Sequence, residues 1–405
     1  MTSEHSAAGT PAATLTAAWA AVFSMCLGVF GLVGAEFLPA SLLTDMAQDL
    51  GISEGLAGQA VTATAAMGVV ASLSVAALTR SIDRRRVLLG FSALLVLSNL
   101  VVAFSTSVEI LLVGRLMLGA ALGGFWSLST AVVMRLVPEA NVPKALSIMV
   151  SGVSAATIFA APVGSYVGDM FGWRVAFAGA AGLGLAVFAF QFATLPSLPS
   201  RGRARFGMLV ELMSRRRVAL AMLAVLMVFG GHMSLFTYIR PFLETVTDIG
   251  ITAISATLLA FGIANFIGNY LGSMLVARSL LMTLAIMPLT IAVLAFLLAT
   301  IGGTFAIDLT LIALWGLAFG TVPVAWSAWI ARSVPDEAES AGGLLVAAIN
   351  LAIALGAAIG GLILDLSGVQ SVFLASGSVL VLAAITVIAG VDARTPRTAA
   401  EGAGA

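Results

Sequence analysis

Between Trp19 and Phe37 the chain carries a single charged residue, Glu36, and apolar runs of this length recur almost to its end. A bilayer core is crossed by roughly 20 helical residues. Twelve segments of the 405-residue chain satisfy that ruler: 18–42, 56–78, 87–105, 109–134, 144–168, 174–194, 218–242, 253–277, 281–301, 307–331, 341–364 and 371–391. Lipid offers no partner to an open backbone N–H or C=O, so each segment is predicted to be a helix. Charged residues make up 9% of the chain, where a soluble domain carries about 25%. The expected fold is an all-α membrane protein of twelve transmembrane helices. Pro39 is expected to kink the first helix or to end it.

Arginine gives the helices a direction. With a cytoplasmic N-terminus, all of the 19 Lys and Arg residues except Arg115, Arg174 and Arg240 fall in inner loops, in the segment 195–217 or in the C-terminal tail. The opposite loops carry mainly acids, among them Asp45, Asp49, Glu54, Asp248 and Asp365. Positive loops stay inside, so both termini are predicted on the cytoplasmic face of the membrane. The first 17 residues contain no Lys or Arg, which argues against a cleaved signal peptide. The stretch "LPSLPSRGRARFGMLVELMSRRR" (195–217) is the only long polar interruption. It divides the chain into a cytoplasmic tail (1–17), a six-helix half (18–194), a cytoplasmic linker (195–217), a second six-helix half (218–391) and a second cytoplasmic tail (392–405). The halves repeat. "RLVPE" at Arg135 answers "RSVPD" at Arg332, Gly119 and Gly123 answer Gly316 and Gly320, and "DLGIS" (49–53) answers "DIGIT" (248–252). Repeats of this kind place a substrate site between them near the bilayer midplane.

Several function classes fall away. One cysteine, Cys26, and two distant histidines, His5 and His232, leave no internal disulfide and no expected metal site. The strings "GAAGLG" (179–184) and "GAAIGG" (356–361) lie inside apolar helices, and no Walker-type Gly-Lys-Ser/Thr is present, so ATP is not expected to drive the chain. No nucleophile–base pair stands out; no catalytic residue is assigned and an enzyme is not expected. A channel would need charge rings on symmetric subunits, and a receptor a sizeable soluble output domain. A secondary transporter remains, with a proton gradient as its energy source and no cofactor. Its expected partners are a small-molecule substrate, protons and the lipid bilayer, with no nucleic acid, and the expected state is a monomer.

Deep charges are confined to the first, fourth and seventh spans: Glu36, Arg115 and Arg240. Ionisable groups in hydrocarbon are costly and are kept mostly for function. Arg115 lies about six residues into its span, roughly 9 Å at 1.5 Å per residue, and the other two lie in the outer thirds of theirs. One acid and two bases at one depth suggest a shared polar cavity and a proton-coupling set. Burial favours a neutral carboxyl and a nearby arginine a charged one, so Glu36 carries protons only if that balance alternates between states. The plainer alternative is that Glu36 and Arg240 reach the headgroups, with Arg115 pairing Glu36 as structural glue. His232 is either a hydrogen-bonded packing residue or a proton or substrate ligand.

"LLVGRLMLGAALGG" (111–124) resembles the fourth-helix motif of proton-coupled facilitators, with Arg115 in the arginine position. "AAPVGSYVGDMFGWR" (160–174) resembles the fifth-helix motif of antiporters, and "SIDRRRVLL" (81–89) the signature loop between helices 2 and 3. "AEFLPASLLTDMAQDLGISEGLAGQAVT" (35–62), "LGGFWSLSTAVVMRLVPEANVPKALS" (122–147), "FTYIRP" (236–241) and "WSAWIARSVPDEAESAG" (326–342) resemble the purine ribonucleoside efflux pumps of the drug/proton antiporter group. The resemblance spans nearly the whole chain and points to the major facilitator superfamily. In the signature loop, Arg80 occupies the usual acidic position and Asp83 stands three residues downstream; in the fifth-helix motif Thr157 and Ala161 replace glycines. The resemblance implies export of purine nucleosides such as inosine and guanosine in exchange for protons, with Arg80, Asp83, Arg84 and Arg85 forming a gating loop. Purine rings want aromatic faces, and amides read their edges. The substrate candidates are accordingly Phe125, Trp126, Tyr238 and Trp326 for stacking, and Gln59, Asn265, Asn269 and Asn350 for edge recognition, with His232 beside them. The competing substrates are drugs or sugars.

Overall fold

A computed structural model describes residues 11–138, 141–199, 214–333 and 338–391. The predicted basic residues Arg201, Arg203, Arg205, Arg394 and Arg397 lie outside the described residues, as do most of the linker and both chain ends. Thirteen helices fill the described residues: α1 (Pro11–Leu50), α2 (Glu54–Leu78), α3 (Arg84–Ala103), α4 (Val108–Leu136), α5 (Val142–Phe171), α6 (Trp173–Thr194), α7 (Arg216–Thr237), α8 (Ile239–Thr245), α9 (Ile251–Arg278), α10 (Leu280–Ile301), α11 (Phe305–Ser333), α12 (Ala338–Ser367) and α13 (Val369–Gly390). Twelve of them are long and apolar enough to cross a membrane, and the short α8 continues α7 after a break at Tyr238.

Two expectations change in detail. Helix α1 does not end at Pro39 but runs on to Leu50. The seventh segment is not one helix but two, α7 and α8. Elsewhere caps set the boundaries. The Asp83 carboxylate accepts from the Arg85 backbone N–H at 2.8 Å and starts α3, and the Ser279 hydroxyl accepts from the Met282 N–H at the start of α10. Gly172 and Gly368, at φ 88° and 79°, each make a one-residue turn between consecutive helices. A side chain there would be strained, and the same device joins α5 to α6 and α12 to α13.

Each half packs in the same order. Helix α2 lies on α4 and α1 on α5 in the first half; α9 lies on α11 and α7 on α12 in the second. The repeated glycines explain how closely they pack. A Cβ on Gly119 or Gly123 would collide with the backbone of Thr64 or Gly68, and one on Gly316 or Gly320 with that of Phe261 or Asn265. Small residues let backbones touch where lipid supplies no hydrophobic drive between helices. Across the halves, α2 packs on α12 and α5 on α9.

The seam between the halves is closed at one end. Ala40, Leu43 and Ala47 of α1 are buried in the core of the second half, beside Tyr238, Ile239 and Phe242. This end carries Asp45, Asp49 and Asp365, and is called the acidic end below. Toward the arginine-rich end, α1 leaves Phe23 exposed and Cys26, Phe30 and Gly34 half-buried, at helical spacing on one face. The Cys26 sulfur lies 3.6 Å from the Ser151 hydroxyl of α5. Near that end α4 exposes Ser127 and Thr130, and α11 exposes Ser327.

Candidate functional site

Proline has no N–H, so Pro39 leaves the carbonyl four residues earlier without its helical partner. That carbonyl belongs to Ala35, and Arg115 of α4 donates to it at 2.9 Å. The same guanidinium donates to the Glu36 carbonyl at 3.3 Å and to the Ala60 carbonyl of α2 at 3.2 Å. Arg115 is 1% exposed, and its fork ties three helices together through backbone oxygens alone. The Glu36 carboxylate, half-buried and within electrostatic reach of Arg115, has no hydrogen-bond partner among the described residues. Arg115 therefore serves the backbone on either side of Glu36 and leaves its carboxylate open.

Arg240 belongs to a different cluster. Its guanidinium makes a bidentate pair with Asp45, both contacts at 2.8 Å, and donates to Glu244 at 2.6 Å and to the Ser41 carbonyl at 2.6 Å. Its side chain is 4% exposed. The single cavity expected for Glu36, Arg115 and Arg240 is thus two sites, set apart along α1. Asp45, taken from sequence as a loop acid, is the missing partner; it lies inside α1 because the helix passes Pro39.

Further bonds cross the halves at the acidic end. The Thr44 hydroxyl donates to Glu244, and the Asp365 carboxylate of α12 accepts from the Ser53 hydroxyl at 2.7 Å and the Gly55 N–H at 3.1 Å. Asp365 thereby caps the N-terminus of α2 from the opposite half, where a negative charge is favoured. Tyr238 fills a slot walled by Gly58 of α2 and by Gly360 and Gly361 of α12, and its hydroxyl donates to the Ala357 carbonyl at 2.7 Å. A separate ion pair, Arg174 with Asp49, joins α6 to α1 within the first half.

His232 stands in an aromatic box in the second half. Its ring stacks on Phe319 with centroids 3.2 Å apart, and Phe236 and Phe261 lie at 5.9 and 6.2 Å. The Trp315 indole N–H donates to His232 Nδ1 at 3.0 Å. Phe37 of α1 meets Phe236 edge-on at 5.5 Å, so the box reaches the seam one residue from Glu36. Phe236, Phe261, Trp315 and Phe319 carried no signal in the sequence beyond apolar character.

The other candidates are dispersed. Phe125 is fully buried in the first half's core beside Gly28, with Trp126 half-buried next to it. Trp326 is buried against Trp329. Gln59 donates back to the Gly55 carbonyl of its own helix. Asn350 donates to the Val346 carbonyl, and its buried Oδ1 has no partner and faces Gly68 across the α2–α12 seam. Asn265 and Asn269, half-buried one turn apart on α9, have no side-chain hydrogen bond among the described residues. In the first turn of α3, Arg84 donates to Thr79 and Arg85 to the Phe192 carbonyl, while Arg80 in the preceding loop is exposed. Burial opposes ionisation of Asp83, but hydrogen bonds from Ser197, Leu198 and Arg85 and the charge of Arg86 prevail and hold its carboxyl below the ordinary aspartate value. A cleft of about 290 Å³ lies apart from these groups, between α7, α12 and α13, and its apolar lining offers little to a polar solute.

The chain matches the Major Facilitator Superfamily over residues 25–344. It is 46% identical over 373 residues to the purine ribonucleoside efflux pump NepI of Escherichia coli (strain K12), covering 92% of this chain and 94% of that protein. The NepI of Shigella flexneri is similar to the same extent. Among solved structures, a bacterial homologue of the human lysosomal transporter Spinster, inward-facing and unoccupied, superposes with a TM-score of 0.77 at 14% identity, over 95% of this chain and 98% of that one. A variant of the nucleoside transporter NupG superposes with a TM-score of 0.75 at 14% identity, over 91% and 100%.

Proposed function

The chain belongs to the major facilitator superfamily, and from that premise we propose that it exports purine ribonucleosides across a bacterial inner membrane in exchange for protons. The similarity to NepI over nearly the full length of both proteins supports the substrate class. Glu36 carries the coupling argument. Its carboxylate lies beside the seam between the halves, near a guanidinium whose hydrogen bonds go to backbone oxygens. Such a group can take or release a proton without dismantling a salt bridge.

With Arg-rich loops inside, both termini are cytoplasmic and the acidic end faces outward. The molecule is then closed to the outside by the bonds of Arg240, Glu244 and Asp365. Export requires those outer bonds to part while the inner end closes, so that the site faces each side in turn. Arg240 in this scheme acts on opening and closing, and Glu36 on the proton.

The test is labelled inosine in proteoliposomes of the full chain, with only a pH gradient imposed. Inosine is expected to accumulate against its own gradient, and a Glu36→Gln variant to equilibrate it without accumulation. Normal pumping by the variant would remove Glu36 from the coupling. Indifference to inosine would hand the substrate class to drugs or sugars.

A further inference from the structure

We propose that His232 is the hydrogen-bond donor that reads the base of the exported nucleoside, held in its donor form by Trp315. This rests on the purine-export reading above. An indole N–H can only donate, so His232 Nδ1, 3.0 Å from it, must accept. The proton of the neutral ring therefore sits on Nε2. A second proton on Nδ1 would set one donor against another, so the contact also opposes the charged ring. The Nε2 edge has no hydrogen-bond partner among the described residues, although His232 is 2% exposed. Trp315 itself is buried and lies edge-on to the ring at 5.4 Å.

The surroundings suit a flat heterocycle. Phe236, Phe261 and Phe319 line the box, and Phe37 closes it from the other half. A base docking on that seam would meet aromatic surface and, at His232 Nε2, a donor with no other partner among the described residues. A 6-oxopurine presents two adjacent acceptors on its outer edge, O6 and N7, whereas a 6-aminopurine presents an amino donor beside N7. A fixed donor placed against the 6-position is satisfied by the oxo group of the first and opposed by the amino group of the second. His232 is thus the specificity residue and Trp315 its positioning residue: the indole need not touch the substrate, but decides which way the imidazole speaks.

The experiment measures binding and transport of inosine and adenosine by the full chain in nanodiscs and proteoliposomes. The wild type is expected to prefer inosine by about tenfold, the scale of one hydrogen bond made rather than opposed. Trp315→Phe keeps the ring and frees the imidazole to turn, so the preference is expected to fall within about twofold. His232→Gln, whose amide can present either edge, is expected to do the same. Melting temperatures of both variants separate loss of selectivity from loss of fold. Nitrogen NMR provides a readout independent of transport, because His5 is the only other histidine. His232 is expected as a single Nε2–H tautomer whose Nε2 signal moves on adding inosine, and in Trp315→Phe as a mixture. An unchanged inosine-to-adenosine ratio in both variants, or an Nδ1–H tautomer in the wild type, overturns the proposal. If the wild type binds no purine nucleoside, the export reading fails with it; if it binds both nucleosides equally while the tautomer is as expected, only the selectivity proposal fails.

Discussion

Arg115 marks the difference between a charge placed for a carboxylate and one placed for a backbone. Its three acceptors are carbonyls on α1 and α2, and the nearest break in the α1 ladder is the one that Pro39 creates. Lysine has three donors on one atom and cannot span oxygens on two helices as a planar fork does. Arg115→Lys is expected to cost about 2 kcal/mol, the scale of a lost charged hydrogen bond, read as a lower melting temperature in detergent. Adding Pro39→Ala should return part of that loss, because the new N–H can reoccupy the Ala35 carbonyl. A double variant no more stable than Arg115→Lys alone would sink the account. Asp83 offers a check outside the membrane. Its carboxyl is held below the ordinary aspartate value in the folded protein, so its contribution is present above the unfolded value and fades as pH falls through the folded one. Asp83→Asn should therefore matter at neutral pH and lose its effect in acid, by roughly 0.5 kcal/mol for a partly exposed cap.

At the scale of helices, glycine sets how the halves meet. Gly58 gives room to the Tyr238 hydroxyl, and a Cβ at that position would overlap it. Gly58→Ala is expected to wedge α2 from α8 and α12 at about 1–3 kcal/mol of overpacking, widening spin-label distances across the acidic end. Tyr238→Ala in the same background should restore closure. If Gly58→Ala leaves the distances unchanged, the slot is not a seal. The sequence displayed the glycines of α4 and α11 as a repeat, and their role follows from backbone contact. It could not display Gly58 in the same way, because the partner is a tyrosine almost half the chain away. The break between α7 and α8 was likewise hidden: it falls at Tyr238, within a stretch whose length and hydropathy read as one span.

For the whole molecule, hydropathy and arginine placement specify spans and halves, since a bilayer tolerates few other solutions. The site is less legible because it is built from pairings between halves. Asp45 and Asp365 look from sequence like acids beside a headgroup region; Glu244 meets Arg240 one turn along α8, but only contact between the halves makes Asp45 a second partner of that buried guanidinium and Asp365 a cap on a foreign helix. If that end is the outer gate, Asp45→Asn removes half of the bidentate pair while leaving Glu244 in place. The expected shift toward the outward-open state is about tenfold in population, or 1.4 kcal/mol, visible as longer spin-label distances and weaker inosine accumulation. Unchanged distances would reassign Arg240 to stability alone. The chain also carries its own reporter. Cys26 is its only thiol, and it lies half-buried on α1 toward the arginine-rich end. A small maleimide applied from the arginine-rich side would modify one atom in the native protein, and the reaction rate would clock how often that atom is uncovered, with no cysteine-free background to engineer first.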